Sequence, residues 1–391
     1  MSVATCEIIA PDTSLPASRS LGYIPELDGL RGLAILFVLV CHFGYLFPEP
    51  ARDWLSLGWV GVDLFFVLSG FLITRILLTS RGEPAYFRNF YLRRAIRIFP
   101  LYFLFVGGYF FLLLPAAHRH GLILNRSGTD QLWFWSYLAN WHTGSAHSTL
   151  THLWSLAIEE QFYFAWPLIV ALVSPKRLGS VCLGLILLSP AVRTFLIWHF
   201  GFGREASFFT VCRMEGIALG ALLASGFRVP KPRFAILVVA ISLVPLLWRG
   251  GPNGFAMTVA GVTLVAILFA SLLQLVTGQD ASGATGSQML RSLVLTRLGK
   301  YSYAIYLFHI LFLTVAVQLR ENRGWPATPL FAGGIVASYG VGWLSWHVFE
   351  KRVLMLKRYF PRSAGATADE QTVPQSGEKT SKVAEICILH E

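Results

Sequence analysis

Long apolar stretches alternate with short polar segments along most of the chain. A helix needs about 20 residues to cross a hydrocarbon layer ~30 Å thick, and about 17 are the minimum. We place ten stretches of this kind, at 30–47, 58–79, 98–115, 153–173, 179–199, 207–226, 234–248, 255–276, 301–319 and 330–349. The pattern predicts an all-α fold, a polytopic membrane helix bundle with about ten transmembrane helices.

The two ends of the chain and one internal stretch do not follow this pattern. Residues 1–22 have no apolar core after a basic segment, so we expect a flexible leader there and not a cleaved signal peptide. The polar, aperiodic residues 359–391 predict a disordered cytoplasmic tail. The membrane domain is then 23–358, and the short stretch 131–141 is expected to be re-entrant or interfacial.

Composition supports a membrane protein and excludes a soluble enzyme. Hydrophobic residues make up 54% of the chain and charged residues only 14%, where soluble domains carry about 25% charge. The net charge of +11 comes from Lys and Arg residues that are concentrated in alternate loops. The positive-inside rule then predicts that both termini are cytoplasmic. We expect the protein to lie in the cell (inner) membrane. This topology accounts for most of the basic excess, so we expect no nucleic-acid partner.

Arg31 and His42 lie in the first predicted span, where titratable side chains are costly and therefore point to function. Eleven helical positions make three turns plus about 20°, so the two side chains share one helix face, ~16 Å apart along the axis. This spacing puts Arg31 at the inner edge of the membrane and His42 near its midplane.

Several other polar groups lie at a similar depth in different spans. At ~1.5 Å per residue, they gather within a slab roughly 9 Å thick about the midplane. The groups are His42, Asp63, Ser69, Glu159 and His309. We therefore predict that His42 and Glu159 form a functional pair. Five cysteines without a CxxC spacing are expected to be buried apolar residues, and no metal site is expected.

A basic segment, RRAIRIFP, precedes the third span. Arg94 and Arg97 are three positions apart on one helical face, with Arg93 beside them. Such a face can bind anions at the cytoplasmic surface. From these residues alone, lipid headgroups and a phosphorylated cofactor are both possible ligands.

The motifs in order are ELDGLRGLAILFVLVCH, GWVGVDLFFVLSGFLIT, RRAIRIFP, WSLAIEEQFY and GKYSYAIYLFH. From Tyr23 to Arg352 the chain resembles the acyltransferase-3 family of integral membrane acyltransferases, a group that includes O-antigen and peptidoglycan O-acetylases. The resemblance implies transfer of an acyl group from cytoplasmic acyl-CoA, most often acetyl-CoA, to a carbohydrate hydroxyl at or beyond the outer leaflet. Acyl-CoA would be a co-substrate and not a permanently bound cofactor, and a homo-oligomer is compatible with this reading.

The family's Arg-x10-His motif falls on Arg31 and His42, and its Arg-x-x-Arg motif on Arg94 and Arg97. The resemblance implies that His42 is catalytic, as a general base or as a transient acyl carrier, with Glu159 orienting or balancing its imidazole. The expected acyl-CoA ligands are Arg31, Arg93, Arg94 and Arg97. Supporting roles are expected for Asp63, Ser69, Trp154, Ser155, Tyr163, Tyr303 and His309.

The residues taken alone are also compatible with two other functions. A proton-coupled transporter or flippase would also use a midplane His–Glu pair, although the chain shows no internal repeat. A lipid-binding scaffold is the other, and it predicts that His42 is dispensable. Release of free CoA from acetyl-CoA would distinguish an enzyme from a transporter. For two further intramembrane residues, Arg193 and Arg213, pairing with Glu205 or Glu215 and a catalytic role both stay open.

Overall fold

The computed structural model describes residues 23–119, 131–142, 148–201, 204–250, 254–278 and 285–360. Within these ranges the regular secondary structure is helical, without strands, as the sequence predicts. The α-helices are α1 Pro25–Gly44, α2 Ala51–Ser56, α3 Val60–Thr79, α4 Tyr86–Gly108, α5 Leu114–Arg119, α6 Gln131–Trp135, α7 Leu153–Leu172, α8 Pro175–Phe200, α9 Met214–Ala224, α10 Pro232–Gly250, α11 Val262–Thr277, α12 Thr285–Leu290, α13 Leu293–Arg323, α14 Ala327–Ser345 and α15 Lys351–Leu354.

Short 3₁₀ and π turns connect or extend several of these helices. The 3₁₀ turns are Leu57–Trp59, Ala139–Trp141, Arg204–Phe208, Thr210–Arg213 and Met355–Tyr359, and the π turns are Tyr109–Leu113, Met257–Gly261 and Trp346–Glu350. The predicted re-entrant or interfacial stretch forms α6 and one of the 3₁₀ turns, both far too short to cross a membrane. The predicted leader and the chain from residue 361 onwards lie outside the described residues.

Seven helical segments of the described chain are long and apolar enough to cross a membrane. They are Pro25–Gly44, Ala51–Thr79, Tyr86–Ala117, Pro175–Phe200, Met257–Thr277, Leu293–Arg323 and Ala327–Tyr359. Helices α7, α9 and α10 occupy the other three predicted spans. The protein is therefore a multi-pass membrane protein, while the count of ten crossings and the side of each terminus stay predictions.

Helix α1 lies at the centre of the bundle and packs along α13, with further contacts to α3 and α14. Glycine permits the close approach of α1 and α13. A Cβ atom on Gly32 would overlap the backbone of α13, and one on Gly299 would overlap the backbone carbonyl of Asp28. Small residues at such contacts let membrane helices pack backbone to backbone. The same contact fixes the position of the helix that carries Arg31 and His42.

Two buried ion pairs tie α3, α8 and α9 together. Arg193 donates to Glu215 at 2.6 Å, which confirms one of the pairings left open by the sequence. Arg213 lies 3.0 Å from Asp63, so its pairing with a glutamate is wrong. Since Arg193 already neutralises Glu215, the Asp63 carboxylate on the neighbouring α3 is the partner left for Arg213.

Candidate active site

Two cavities lie next to each other inside the bundle. The arginine cavity is lined by Arg31, Val62, Phe65, Phe66, Ser69, Arg94, Arg97, Ile98, Ser155, Leu156, Glu159, Tyr163, Ser302, Tyr303 and Tyr306. The histidine cavity is lined by Val38, Cys41, His42, Ser56, Trp59, Val62, Trp154, Ser207, Phe208, Arg213, Met257, Thr258 and Val262. Val62 lines both cavities, so only a thin wall separates them.

Arginine side chains from two helices make the arginine cavity basic. Arg94 and Arg97 project from α4, and Arg31 projects from α1, where its Nη1 donates to Asp28 at 3.0 Å. The Arg94 guanidinium lies 5.7 Å from the centre of the Tyr163 ring. The Nη1 of Arg97 is buried and has no hydrogen-bond partner among the described residues. A buried donor of this kind needs an acceptor, and phosphate oxygens fit it well.

Glu159 lies on the wall of the arginine cavity. Its Oε1 accepts a hydrogen bond from Ser69 at 3.0 Å, and its Oε2 lies 3.2 Å from the Tyr163 hydroxyl. That hydroxyl is also 3.0 Å from the Ser69 Oγ. Within the described residues, the hydrogen bonds of Glu159 therefore go to Ser69 and Tyr163, and the expected contact with the His42 imidazole is not among them.

His42 has a tautomer that suits a general base. Its Nδ1 lies 2.9 Å from the Val38 carbonyl oxygen one turn earlier in α1. Because a carbonyl can only accept, the Nδ1 carries the hydrogen and the Nε2 keeps its lone pair. The His309 ring packs edge-on against it, with ring centres 4.8 Å apart. The Nδ1 of His309 donates in the same way to the Tyr306 carbonyl at 2.7 Å.

A third histidine, His152, completes a cluster of imidazoles in which His152 and His309 are buried. Its ring centre is 5.2 Å from that of His309, and its backbone oxygen accepts from the Tyr306 hydroxyl at 2.5 Å. The Tyr306 hydroxyl is also 2.6 Å from the Ser155 Oγ. Tyr306 therefore joins the imidazole cluster to the arginine cavity that it lines. His152 is not among the site residues predicted from the sequence, although it lies three residues, about one helical turn, before the predicted residue Ser155.

The remaining predicted site residues are divided between the cavities and their surroundings. Tyr303 lines the arginine cavity and donates to the Ile98 carbonyl at 2.9 Å. Trp154 lines the histidine cavity, and its ring centre lies 6.0 Å from that of Phe66, a residue of the other cavity. This aromatic pair forms part of the wall between the two cavities.

Two of the predicted site residues, Arg93 and Asp63, line neither cavity. Arg93 was expected beside Arg94 and Arg97, but its Nη1 donates to the Phe360 carbonyl at 2.8 Å and it lines neither cavity. Free carbonyls at the end of a helical segment need donors, and Arg93 supplies one. Asp63 is held by Arg213 and lines neither cavity. Among the described residues, no group of three His, Cys, Asp or Glu side chains could hold a metal ion.

Comparison with known proteins places the chain. The acyltransferase domain of the acyltransferase-3 family matches residues 24–347. The chain belongs to the acyltransferase-3 family. All residues that line the two cavities lie within this match. The resemblance drawn from the five sequence motifs is confirmed.

Curated relatives share the acyltransferase domain with this chain. It is 31% identical over 338 residues to the peptidoglycan O-acetyltransferase OatA of Listeria monocytogenes, covering 76% of this chain and 51% of that one. It is 30% identical over 371 residues to a Bacillus subtilis protein named "Putative peptidoglycan O-acetyltransferase YrhL", covering 85% and 55%. The chain thus spans about half the length of these relatives. No solved structure gives a significant match.

Proposed function

We propose that this acyltransferase moves an acetyl group from cytoplasmic acetyl-CoA to a hydroxyl of a cell-envelope carbohydrate at the outer side of the inner membrane. One observation carries the proposal: a basic cavity and a cavity lined by the His42 imidazole share a wall inside a membrane bundle. The names of the relatives, which include peptidoglycan O-acetyltransferase, support an O-acetyl product. The acceptor would be a polysaccharide or a lipid-linked oligosaccharide.

The arginine cavity would hold the donor. Its three arginines suit the phosphate groups of CoA because guanidinium groups bind phosphate oxygens in bidentate fashion. Arg97 offers a buried Nη1 that has no acceptor among the described residues, and Arg94 is one turn away on the same helix. The pantetheine arm would then extend from these arginines towards Val62, where the two cavities meet. The basic mouth faces the cytoplasm in this account, as the positive-inside rule predicts.

The chemistry would take place at His42. Its Nε2 accepts the proton of the acceptor hydroxyl while that oxygen attacks the thioester carbonyl carbon. The new C–O bond forms, the C–S bond breaks, and the proton on Nε2 passes to the departing CoA sulfur. His309 restricts rotation of the His42 ring by packing edge-on against it, so that Nε2 keeps its direction through the cycle.

Glu159 would act on the donor side and not on His42 directly. Its carboxylate fixes Ser69 and Tyr163, and Tyr163 in turn stacks beneath Arg94. We infer that Glu159 balances the arginine charge when CoA is absent. The same hydrogen bonds hold the wall of the cavity in place when CoA arrives.

The direct test uses the purified full-length chain, acetyl-labelled acetyl-CoA and an oligosaccharide acceptor. We expect free CoA and labelled oligosaccharide to form in equal amounts, as transfer requires. A transporter would leave the thioester intact, and release of CoA without labelled oligosaccharide would mean that the enzyme is only a hydrolase. Either result would overturn the proposal.

A further inference from the structure

The histidine cavity has the wall chemistry of a sugar-binding site. Trp59, Trp154 and Phe208 supply flat aromatic surfaces, and Ser56, Ser207 and Thr258 supply hydroxyl groups. The Ser56 hydroxyl donates to the Asp53 carbonyl at 2.7 Å, and the Thr258 hydroxyl donates to the Gly254 carbonyl at 3.2 Å. Since each hydroxyl has only one hydrogen to donate, these oxygens can accept hydrogen bonds from a ligand.

Arg213 holds the aromatic wall together. Its guanidinium carbon lies 6.0 Å from the Trp59 ring centre and 5.5 Å from the Trp154 ring centre, within the range of cation–π contacts. The ion pair with Asp63 anchors this guanidinium at 3.0 Å. The Nε of Arg213 is buried without a hydrogen-bond partner among the described residues, although the side chain lines the cavity. An oxygen of a bound ligand would satisfy it.

The charges of the two cavities differ. In the histidine cavity the Arg213 charge is balanced by Asp63, whereas in the arginine cavity the Nη1 of Arg97 has no acceptor in the described part of the chain. Hydroxyl acceptors, one donor and apolar ring faces suit an uncharged pyranose, which has hydroxyl edges and apolar C–H faces. An anionic ligand would find no unbalanced positive charge in this cavity, because Asp63 balances Arg213. A purely aliphatic ligand would leave the hydroxyl groups and the Arg213 donor without hydrogen-bond partners.

We propose that the histidine cavity is the acceptor subsite and that it binds one uncharged sugar ring against Trp59 and Trp154, with Arg213 donating to a ring or hydroxyl oxygen. The inference rests on the proposed function for its catalytic meaning, because a sugar in this cavity would place a hydroxyl beside His42. Trp59, Trp154 and Arg213 are then positioning and specificity residues, while His42 performs the chemistry.

The test measures binding separately from transfer. The purified full-length protein is titrated with neutral tetrasaccharides (N-acetylchitotetraose and cellotetraose), with the anionic tetragalacturonate, and with a long-chain alcohol. Trp59→Ala should raise the Kd for the best neutral tetrasaccharide, and its acceptor KM, by about tenfold or more, as expected for an aromatic anchor of a binding site. The KM for acetyl-CoA should not change.

Two variants control for folding and for general effects of losing a tryptophan. Trp59→Phe keeps an aromatic face and should recover most of the binding. Trp54→Ala removes a tryptophan that is 65% exposed on α2, only five residues earlier, and should bind sugar like the unmodified chain. Thermal melting of each variant shows whether the fold is retained.

The inference is overturned if no neutral tetrasaccharide binds, if the anionic sugar or the alcohol binds more tightly, or if folded Trp59→Ala keeps the original Kd. The proposed function fails by a different result, in which the sugar binds and Trp59→Ala weakens it but no acetyl group is transferred. Sugar binding, dependence on Trp59 and acetyl transfer together support both.

Discussion

Arg97 provides a sharp test of how the donor is held. Its guanidinium lines the arginine cavity, and its buried Nη1 has no hydrogen-bond partner among the described residues. An unsatisfied buried donor costs free energy in the unliganded protein, and a phosphate oxygen would recover that cost on binding. Arg97→Ala should therefore weaken acetyl-CoA binding without lowering the stability of the fold.

The expected size follows from the chemistry of the lost contact. A hydrogen bond to a charged group contributes about 1.5–3 kcal/mol, which corresponds to a rise of roughly 10- to 150-fold in the KM for acetyl-CoA. The kcat should change less, because Arg97 does not touch the reacting carbonyl in this account. The melting temperature should stay the same or rise, since the variant removes a buried donor that has no acceptor in the part of the chain that the structure describes.

Steady-state kinetics with varied acetyl-CoA and saturating acceptor measure the effect. Arg88→Ala is the matched control, because Arg88 lies on the same helix, nine residues earlier, and is exposed. An unchanged KM for acetyl-CoA in Arg97→Ala would refute the phosphate contact. So would a change confined to the KM of the carbohydrate, because that would place Arg97 on the acceptor side.

Three further predictions concern packing and buried polar contacts. Arg193→Met should lower the free energy of unfolding by about 3–5 kcal/mol, because Glu215 keeps a buried charge without its partner, and Arg193→Met with Glu215→Leu should recover much of it in thermal melts. Gly32→Leu should prevent recovery of a monodisperse protein by size-exclusion chromatography because the side chain would overlap α13, whereas Gly340→Leu, with open space at its Cβ, should not. Tyr163→Phe should lower the free energy of unfolding by about 1–3 kcal/mol, because the Oε2 of Glu159 loses the hydroxyl group that donates to it. Tyr45→Phe, at an exposed tyrosine, should leave the free energy of unfolding unchanged. The contacts concerned would be contradicted if Arg193→Met melted like the double variant, if Tyr163→Phe melted like Tyr45→Phe, or if Gly32→Leu were recovered as a monodisperse protein.

The apolar pattern was sufficient to predict an all-helical membrane protein, while the count of ten spans stays a prediction. The spacing on α1 predicts that Arg31 and His42 share one helix face at different depths, and in the structure Arg31 lines the arginine cavity and His42 lines the histidine cavity. Periodicity within one helix carries this information because it depends only on the helical repeat.

The contacts between helices could not be predicted in the same way. Depth alone grouped Asp63 and Glu159 with His42, but the rotation of each helix directs Asp63 towards Arg213 and Glu159 towards Ser69. That rotation depends on close packing at glycines, which a single sequence does not reveal. The role of Arg93 was missed for the same reason, because its acceptor, the Phe360 carbonyl, lies more than two hundred residues away in sequence.

The central claim is that the imidazole of His42 carries the acyl transfer. The most direct measurement compares acetyl transfer to oligosaccharide by His42→Ala and by His347→Ala, an exposed histidine whose Nδ1 also contacts a carbonyl one turn earlier. We expect His42→Ala to fold and insert normally but to transfer no label, and His347→Ala to transfer label at the original rate. Full turnover by folded His42→Ala would contradict the account.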